Sequence, residues 1–304
     1  MLDISRKSSS LRSATATARV SASPATLARV RQNDVPKGNV FEVARVAAIQ
    51  AAKRTHEIIP FCHPLPVDFV GIEFESGEDH IDVRATVKAI YKTGVEMEAL
   101  TAASVAALTI YDMLKMIDDE LTIQEIVLVQ KKGGKSDFRT TLSKPVRAAV
   151  LVMSDSVAAG QKSDQSGKMI EERLIAEGIE VSEYRIVPDE EDLIVRTLCS
   201  YADVEKLDLV ITTGGTGLGP RDRTPEAMRN VMDREIPGVS EAMRAYGQSR
   251  TPFSMLSRGQ AGLRKDTLII NLPGSKKGVA ESLDALFPGL LHAFAMMRMG
   301  GHGE

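Results

Sequence analysis

Residue types able to do chemistry gather in two parts of this 304-residue sequence. In the first half, Ile58-Ile-Pro-Phe-Cys-His-Pro-Leu-Pro66 holds Cys62 and His63 in a proline-stiffened loop. The same half carries cations at Lys37, Lys53, Arg54, Lys115 and the Lys131–Lys135 run, and carboxylates at Glu96, Glu98 and Asp112. Taken singly, each charge reads as a solvated surface group, and a histidine between prolines is more often structural than catalytic. Taken together, a fixed imidazole, several cations and several carboxylates suit proton transfer on a phosphate-bearing substrate. In the second half, Gly214-Gly-Thr-Gly217 lets backbone approach an anion closely and supplies amide donors beside threonine hydroxyls. It lacks the Gly-Lys-Ser/Thr of a P-loop and the spacing of a dinucleotide fingerprint. Asp189 and Asp222 could hold Mg²⁺ against phosphates, since that ion takes a few carboxylate oxygens plus water. Helix capping explains either aspartate alone.

These residues need elements to position them. Thr93 to Lys115 has an unambiguous helical period: Leu100, Ala103, Ala107, Ile110, Tyr111 and Leu114 recur at three- and four-residue steps. Ala102, Ser104 and Ala106 keep its other faces narrow, as in a helix packed on several sides. Glu96 and Glu98 fall in its first turn, where the helix dipole favours anions, and Asp112 and Lys115 share a face at its far end. Gly38-Asn39 opens a second helix over Val40 to Thr55, with Val40, Val43, Ala47, Ile49 and Ala51 as its expected core face. Phe69–Phe74, Ile81–Tyr91 and Ile123–Val129 alternate as strands, and Ala14–Val20 reads as an edge strand. The pattern predicts an α+β layer with helices on one sheet face.

After the short polar Ser143-Lys-Pro145 the pattern changes. Val146–Val152, Val181–Val187 and Leu207–Ile211 read as strands alternating with helices over Ser166–Glu177, stopped by Gly178, and Asp192–Tyr201. Such alternation predicts an open, mostly parallel α/β sheet whose ligands sit beyond the carboxyl ends of its strands. The loops after Val152, Val187 and Ile211 meet at that edge. Leu283–Met299 reads as a final amphipathic helix, its Met296, Met297 and Met299 serving core or subunit contact. Residues 1–142 and 146–304 are therefore expected to be separate domains, in line with a length prior of roughly two.

A net charge of -3 gives no global argument for nucleic acid, so any anion site must be local. Two cysteines in different halves, with no CxxC pair, argue against iron–sulfur or zinc sites and fit a reducing compartment. Ser5 to Arg31 shares the Ser/Ala/Arg-rich, acid-poor composition of organellar transit peptides; a cytoplasmic start is the preferred expectation. The uncharged part of the 93–115 helix is shorter than the roughly 20 apolar residues of a membrane span, so no span is expected.

Lys37-Gly-Asn-Val-Phe, Ala51-Ala-Lys-Arg-Thr, Pro60-Phe-Cys-His-Pro-Leu65, Thr93-Gly-Val-Glu-Met-Glu-Ala-Leu100, Tyr111-Asp-Met-Leu-Lys115 and Gly133-Gly-Lys-Ser136 resemble the motif series of the cyclic pyranopterin monophosphate synthases, the MoaC family of molybdenum cofactor biosynthesis. The likeness covers nearly all of residues 1–140, including the opening Met1-Leu-Asp-Ile-Ser. It implies a ferredoxin-like subunit assembled into a hexamer, a trimer of dimers, with sites between subunits. The implied reaction converts the 3′,8-cyclised dihydro-GTP intermediate into cyclic pyranopterin monophosphate with release of pyrophosphate. Carried over by motif position, Lys37, Asp112 and Lys115 would be the acid/base and charge-stabilising set. His63 with Phe61 and Cys62, and Glu96 and Glu98 with Met97, would line the substrate. Lys53, Arg54 and Lys135 would neutralise the triphosphate. Asp137 follows Ser136 where the family has a glycine.

Thr212–Pro225, Ile236-Pro-Gly238, Leu256-Ser-Arg258 and Asn271-Leu-Pro-Gly-Ser275 are similar to the MogA/MoaB family. That resemblance implies a trimer-forming domain that binds molybdopterin and adenylylates it with Mg²⁺ and ATP. Asp189 and Asp222 would serve metal and catalysis, and Gly214, Gly215, Thr216 and Gly217 the phosphate. Ser257, Asn271, Pro273, Gly274 and Ser275 would lie near pterin and nucleotide. A non-catalytic pterin-binding or scaffolding module is the alternative for this half.

Overall fold

Strand β1 (Ser10–Ser21) is the axis of the first part of the chain. In the computed structural model, which describes residues 1–142 and 144–299, Arg12, Ala14, Ala16, Ala18 and Val20 are buried on one face of β1, the two-residue period of a strand. β1 pairs antiparallel with β3 (His80–Tyr91) on one side and β4 (Thr122–Lys132) on the other. It is therefore interior rather than the expected edge strand. Alternation reveals which face a strand buries; which strands flank it is a tertiary choice. With β2 (Phe69–Ser76) the four-stranded sheet runs β2-β3-β1-β4.

Between β1 and β2 lie α1 (Pro24–Arg31), α2 (Val40–Lys53) and the short α3 (Thr55–Ile58); α4 (Glu96–Leu114) joins β3 to β4. This is the split βαββαβ order of a ferredoxin-like α+β fold. α1 is an addition to the expected elements: Ser23 caps it, accepting from the Thr26 amide, and Pro24 sits in its first turn. The Asn39 side chain caps α2 by accepting from the Glu42 amide.

The helix faces differ from expectation. α2 buries Val40, Ala44, Ala48, Ala51 and Ala52, leaving Val43 exposed. α4 buries Ala99, Ala102, Ala103, Ala106, Ala107, Ile110, Met113 and Leu114, with Tyr111 exposed. The two helices pack on each other, and α4 also packs on β1, β3 and β4. Helices this close admit alanine where they meet, and Val43 and Tyr111 are turned outward. At 19 residues α4 is long and apolar enough by composition to cross a membrane. Here it is instead the core helix of this fold.

Residues Met1–Asp137 form one compact unit and Phe138–Glu304 a second. The second unit has a six-stranded sheet in the order β6-β5-β7-β10-β9-β8. Its strands are β5 (Arg147–Met153), β6 (Glu180–Val187), β7 (Leu209–Thr213), β8 (Arg234–Glu235), β9 (Ala261–Arg264) and β10 (Thr267–Leu272). β5, β6, β7 and β10 are parallel, and β9 and β8 add antiparallel at one side. The helices are α5 (Asp155–Ala158), α6 (Ser166–Ala176), α7 (Glu191–Cys199), α8 (Thr224–Val231), α9 (Pro237–Gln248), α10 (Lys276–Leu286) and α11 (Leu291–Met299). Successive strand residues bury on opposite faces: Val150, Ile211 and Ile270 in one core, Leu151, Val210 and Ile269 in the other. The expected single helix over Leu283–Met299 is two helices, α10 and α11, separated around Pro288, which removes a helical donor and clashes with the preceding turn.

Candidate functional site

In the first unit the carried-over residues separate into two groups. At the C-terminal end of α4, the Asp112 carboxylate bridges two ammoniums: Lys37 Nζ at 2.7 Å and Lys115 Nζ at 2.8 Å. Lys37 also donates to the Asp112 carbonyl at 2.8 Å. Hydrogen bonds from Lys115 and then Lys37 lower the Asp112 carboxyl from 3.8 to about 2, and donating to Asp112 raises Lys115.

At the other end of α4 a cavity of about 590 Å³ is lined by Phe61, Cys62, His63, Glu96, Met97 and Glu98, among others. Burial raises the Glu98 carboxyl above its usual range, and the Glu96 charge adds to this. Burial, then Glu98, raises the Cys62 thiol. His63 Nε2 bonds the Leu2 carbonyl at 2.8 Å; a carbonyl only accepts, so Nε2 is the donor. Glu98 and Asp112 are 14 residues apart on one helix, which at 1.5 Å per residue is about 21 Å. One chain therefore does not bring His63 to the Lys37–Asp112–Lys115 group. Lys53 and Arg54 are exposed at the end of α2 and line neither group. The Lys135 side chain lies outside the described residues.

In the second unit the parallel strands deliver their loops to one edge. Gly214 follows β7 at φ 107°, and a Cβ there would stand 2.1 Å from the Met153 carbonyl oxygen, so only glycine fits. Gly215, at φ 61°, lies over Thr224 and Asp189, and a Cβ on it would meet Asp189 Oδ1 at 3.4 Å. Asp222 holds the same loop by accepting from the Gly219 amide at 2.8 Å. Asp189 and Asp222 thus flank one glycine-rich turn. Burial raises the Asp189 carboxyl; the Asp155 and Asp222 charges push the same way against a hydrogen bond from the Asp155 amide. Asp189 Oδ1 is buried without a hydrogen-bond partner among the described residues, as are Thr224 Oγ1 and Asn271 Oδ1. Asn271 Nδ2 donates to Thr212 Oγ1 at 2.9 Å and the Gly214 carbonyl at 3.3 Å, pinning the loop to β10. Thr216 is buried, its carbonyl accepting from the Arg258 amide at 3.0 Å, and Arg258 Nε donates to the Gly217 carbonyl at 2.8 Å. A polar cavity of about 680 Å³ opens here, lined by Ser154, Lys162, Ser166, Gly214, Gly215, Gly274 and Lys276. Ser257, Pro273 and Ser275 line a second cavity of about 280 Å³.

Residues 1–134 match the MoaC family, and residues 149–292 match the family described as "Probable molybdopterin binding domain". The molybdenum cofactor biosynthesis bifunctional protein of Chlorobaculum tepidum is 43% identical over 302 residues, covering 99% of this chain and 96% of that one. The chain belongs to the bifunctional molybdenum cofactor biosynthesis proteins. Within this family's two parts, the cyclic pyranopterin monophosphate synthase of Pelobacter propionicus is 52% identical over 138 residues, covering 45% of this chain and 86% of its own. The solved molybdopterin biosynthesis enzyme MoaB of Thermus thermophilus is 48% identical, covers 51% of this chain and 98% of its own, and has a TM-score of 0.49.

Three groups beside these cavities and loops were given no role by the motifs. Arg12 is only 9% exposed and has one hydrogen bond among the described residues, to the Tyr91 carbonyl at 3.4 Å, with no carboxylate partner. It lines a small cavity with Gly94, Glu96, Lys131 and Lys132. Its signal was present: an arginine in phase with Ala14, Ala16 and Ala18 on a core-facing strand. Asp155, the first residue of α5, and Asp189 each donate a backbone amide to the other's carboxylate, and Asp155 is paired with Arg221 at 2.8 Å. Arg258 ties the glycine loop to Glu226 at 2.6 Å. Arg221 and Arg258 lie inside the stretches Thr212–Pro225 and Leu256-Ser-Arg258, but nothing in the spacing there, or around Asp155, assigns them these partners.

Proposed function

We propose that this chain catalyses an early and a late step of molybdenum cofactor synthesis, one in each unit. The first unit would convert the cyclised dihydro-GTP intermediate into cyclic pyranopterin monophosphate, releasing pyrophosphate. The observation that carries this reading is the Asp112 carboxylate held between Lys37 and Lys115, at positions shared with the MoaC motifs. A carboxylate between two ammoniums keeps both cations charged and oriented, ready to move a proton or steady a developing anion. His63 and Glu98 would bind the ring system, and Arg12 and Lys131 would take the triphosphate. Because the two groups stand about 21 Å apart along α4, a complete site would combine His63 of one chain with Asp112 of another, in a hexamer or trimer-based assembly. Incubating the protein with the cyclised intermediate and measuring pyrophosphate tests this; no pyrophosphate would refute it.

The second unit would bind molybdopterin and transfer AMP to it from ATP. The donors present fit Mg²⁺: Asp189 Oδ1 is an unpartnered buried oxygen, and Asp222 faces the same loop. No cluster of three His, Cys, Asp or Glu side chains suited to a metal occurs among the described residues. That suits an ion which usually takes one or two carboxylates and completes its shell with water and substrate phosphates. Bound with ATP, Mg²⁺ would offset phosphate charge as pyrophosphate departs. The Gly214–Gly217 amides would hold the phosphates, with Asn271 and Arg258 keeping that loop in place. ATP-dependent AMP transfer to molybdopterin tests the reading; binding without transfer would favour a pterin-binding module.

A further inference from the structure

Residues 159–165 join α5 to α6 and form part of the wall of the 680 Å³ polar cavity at the glycine loop. Lys162 lies on that wall, exposed and with no ion pair among the described residues. Its backbone is held locally: the Gln161 and Lys162 amides donate to the Ser156 carbonyl at 2.9 and 3.2 Å. Asp164 ties the segment to the sheet. Its Oδ1 accepts from the Gly167 amide at 2.8 Å, and its Oδ2 accepts from the Tyr184 hydroxyl on β6. A Cβ on Gly167 would stand 2.3 Å from Asp164 Oδ2 and 2.4 Å from the Tyr184 hydroxyl oxygen, so Asp164 and Tyr184 meet only over a glycine. The Lys168 ammonium, 4.2 Å from the Tyr184 ring centroid, steadies the ring from the start of α6. Burial, then the bond to Asp164, pushes the Tyr184 phenol up, so it remains a donor at neutral pH. Ser166 Oγ donates to the carbonyl of Gly274, which also lines the cavity, at 2.9 Å.

A hydroxyl donating to a carboxylate makes a bond about twice as strong as one between neutral groups. Tyr184 is not among the residues that line the cavity, so its effect there passes through Asp164 and the loop. We propose that Tyr184 is a positioning residue for the phosphate site: through Asp164 it holds residues 159–165 so that the Lys162 ammonium stands at the cavity and pairs with a ligand phosphate. The inference rests on the reading of the glycine loop as holding the phosphates of ATP. It goes further by assigning those phosphates a cation and naming what holds that cation. A lysine side chain loses rotamer freedom when it pairs, and a mobile backbone beneath it would add to that cost. Fixing the loop beforehand removes the backbone part.

Isothermal titration of ATP with Mg²⁺ into the full chain tests this. Tyr184→Phe and Lys162→Ala should each weaken ATP binding by about tenfold. The double variant should bind no more weakly than Lys162→Ala alone, because Tyr184 acts through Lys162. Amide exchange in Tyr184→Phe should quicken in residues 159–165 and stay unchanged in β7, Leu209–Thr213. Lys162 is exposed, so Lys162→Ala keeps the fold, and unchanged ATP affinity in it would overturn the proposal whatever Tyr184→Phe does. Unchanged affinity in Tyr184→Phe, or full additivity of the two substitutions, would also overturn it. Exchange quickened through β7 as well would make Tyr184 a structural residue of the domain and remove the positioning role. AMP transfer separates the two readings. Transfer by a protein whose ATP affinity neither substitution alters would remove the positioning role and keep the adenylylation. Coupled losses of ATP affinity, with no AMP transfer by the intact protein, would do the reverse.

Discussion

Asp112 shows how three residues act as one unit. Both lysines hydrogen-bond its carboxylate, so removing either leaves the other less well oriented. We predict that Lys115→Ala lowers the rate of pyranopterin formation by about 10² or more while circular dichroism stays unchanged; near-normal turnover would make the group structural. The carboxyl also has a titration signature. Its value in the fold is about 2 against an ordinary 3.8, so the group contributes stability above pH 3.8 that is lost as pH falls through about 2. Its carboxyl resonance should titrate near pH 2, and Lys115→Met should move it upward; a titration at the ordinary value in the intact protein would contradict the geometry. Asp189 has the opposite sign. Burial raises its carboxyl, so the charged form costs stability at neutral pH and protonation relieves that cost. Asp189→Asn should raise the melting temperature at pH 7, by on the order of 2 °C, show a smaller gain at acidic pH, and abolish AMP transfer. Lys37, His63, Asp112 and Lys115 stood out as candidates because their motifs are local; the pairings of Asp155 and Arg258 did not, because their partners are distant in sequence.

Among the elements, α4 carries both ends of the first unit's chemistry. Its acidic first turn borders the His63 cavity and its last turn presents Asp112. The alanine face that packs on α2 and the sheet leaves no room for larger groups: Ala103 and Ala106 are both fully buried. Ala106→Leu should destabilise the first unit by about 1–3 kcal/mol through overpacking, measured by chemical denaturation; a loss below that range would mean the interface can relax. The helical period was readable, yet the buried face was not, because periodicity ranks residues by hydropathy whereas close helix packing selects them by size. For the same kind of reason β1 read as an edge. Its alternation shows one face buried, and its two neighbours come from segments about 70 and 110 residues later in the chain.

For the whole molecule, the separation along α4 makes assembly part of the proposed chemistry. Val43 and Val46 on α2, and Leu108 and Tyr111 on α4, are exposed, as expected of helices that meet other copies. Mixing Asp112→Asn chains with His63→Ala chains, each inactive alone, should restore pyranopterin formation in hetero-oligomers. Absence of rescue under conditions that exchange subunits, or a monomer by light scattering, would contradict the shared site.

Order along the chain, residue periodicity and short motifs determined the two fold classes, most elements and both candidate chemistries. These depend on local propensity and on residues within a few positions of one another. The tertiary structure decided that β1 is interior, that alanines form the α2–α4 contact, that Arg12 is a buried cation with no ion pair among the described residues, and that Asp189 leaves an oxygen unpartnered among those residues. Each of these depends on groups brought together across long stretches of chain. Burial and charge pairing are properties of that surrounding, and no single stretch of sequence contains it.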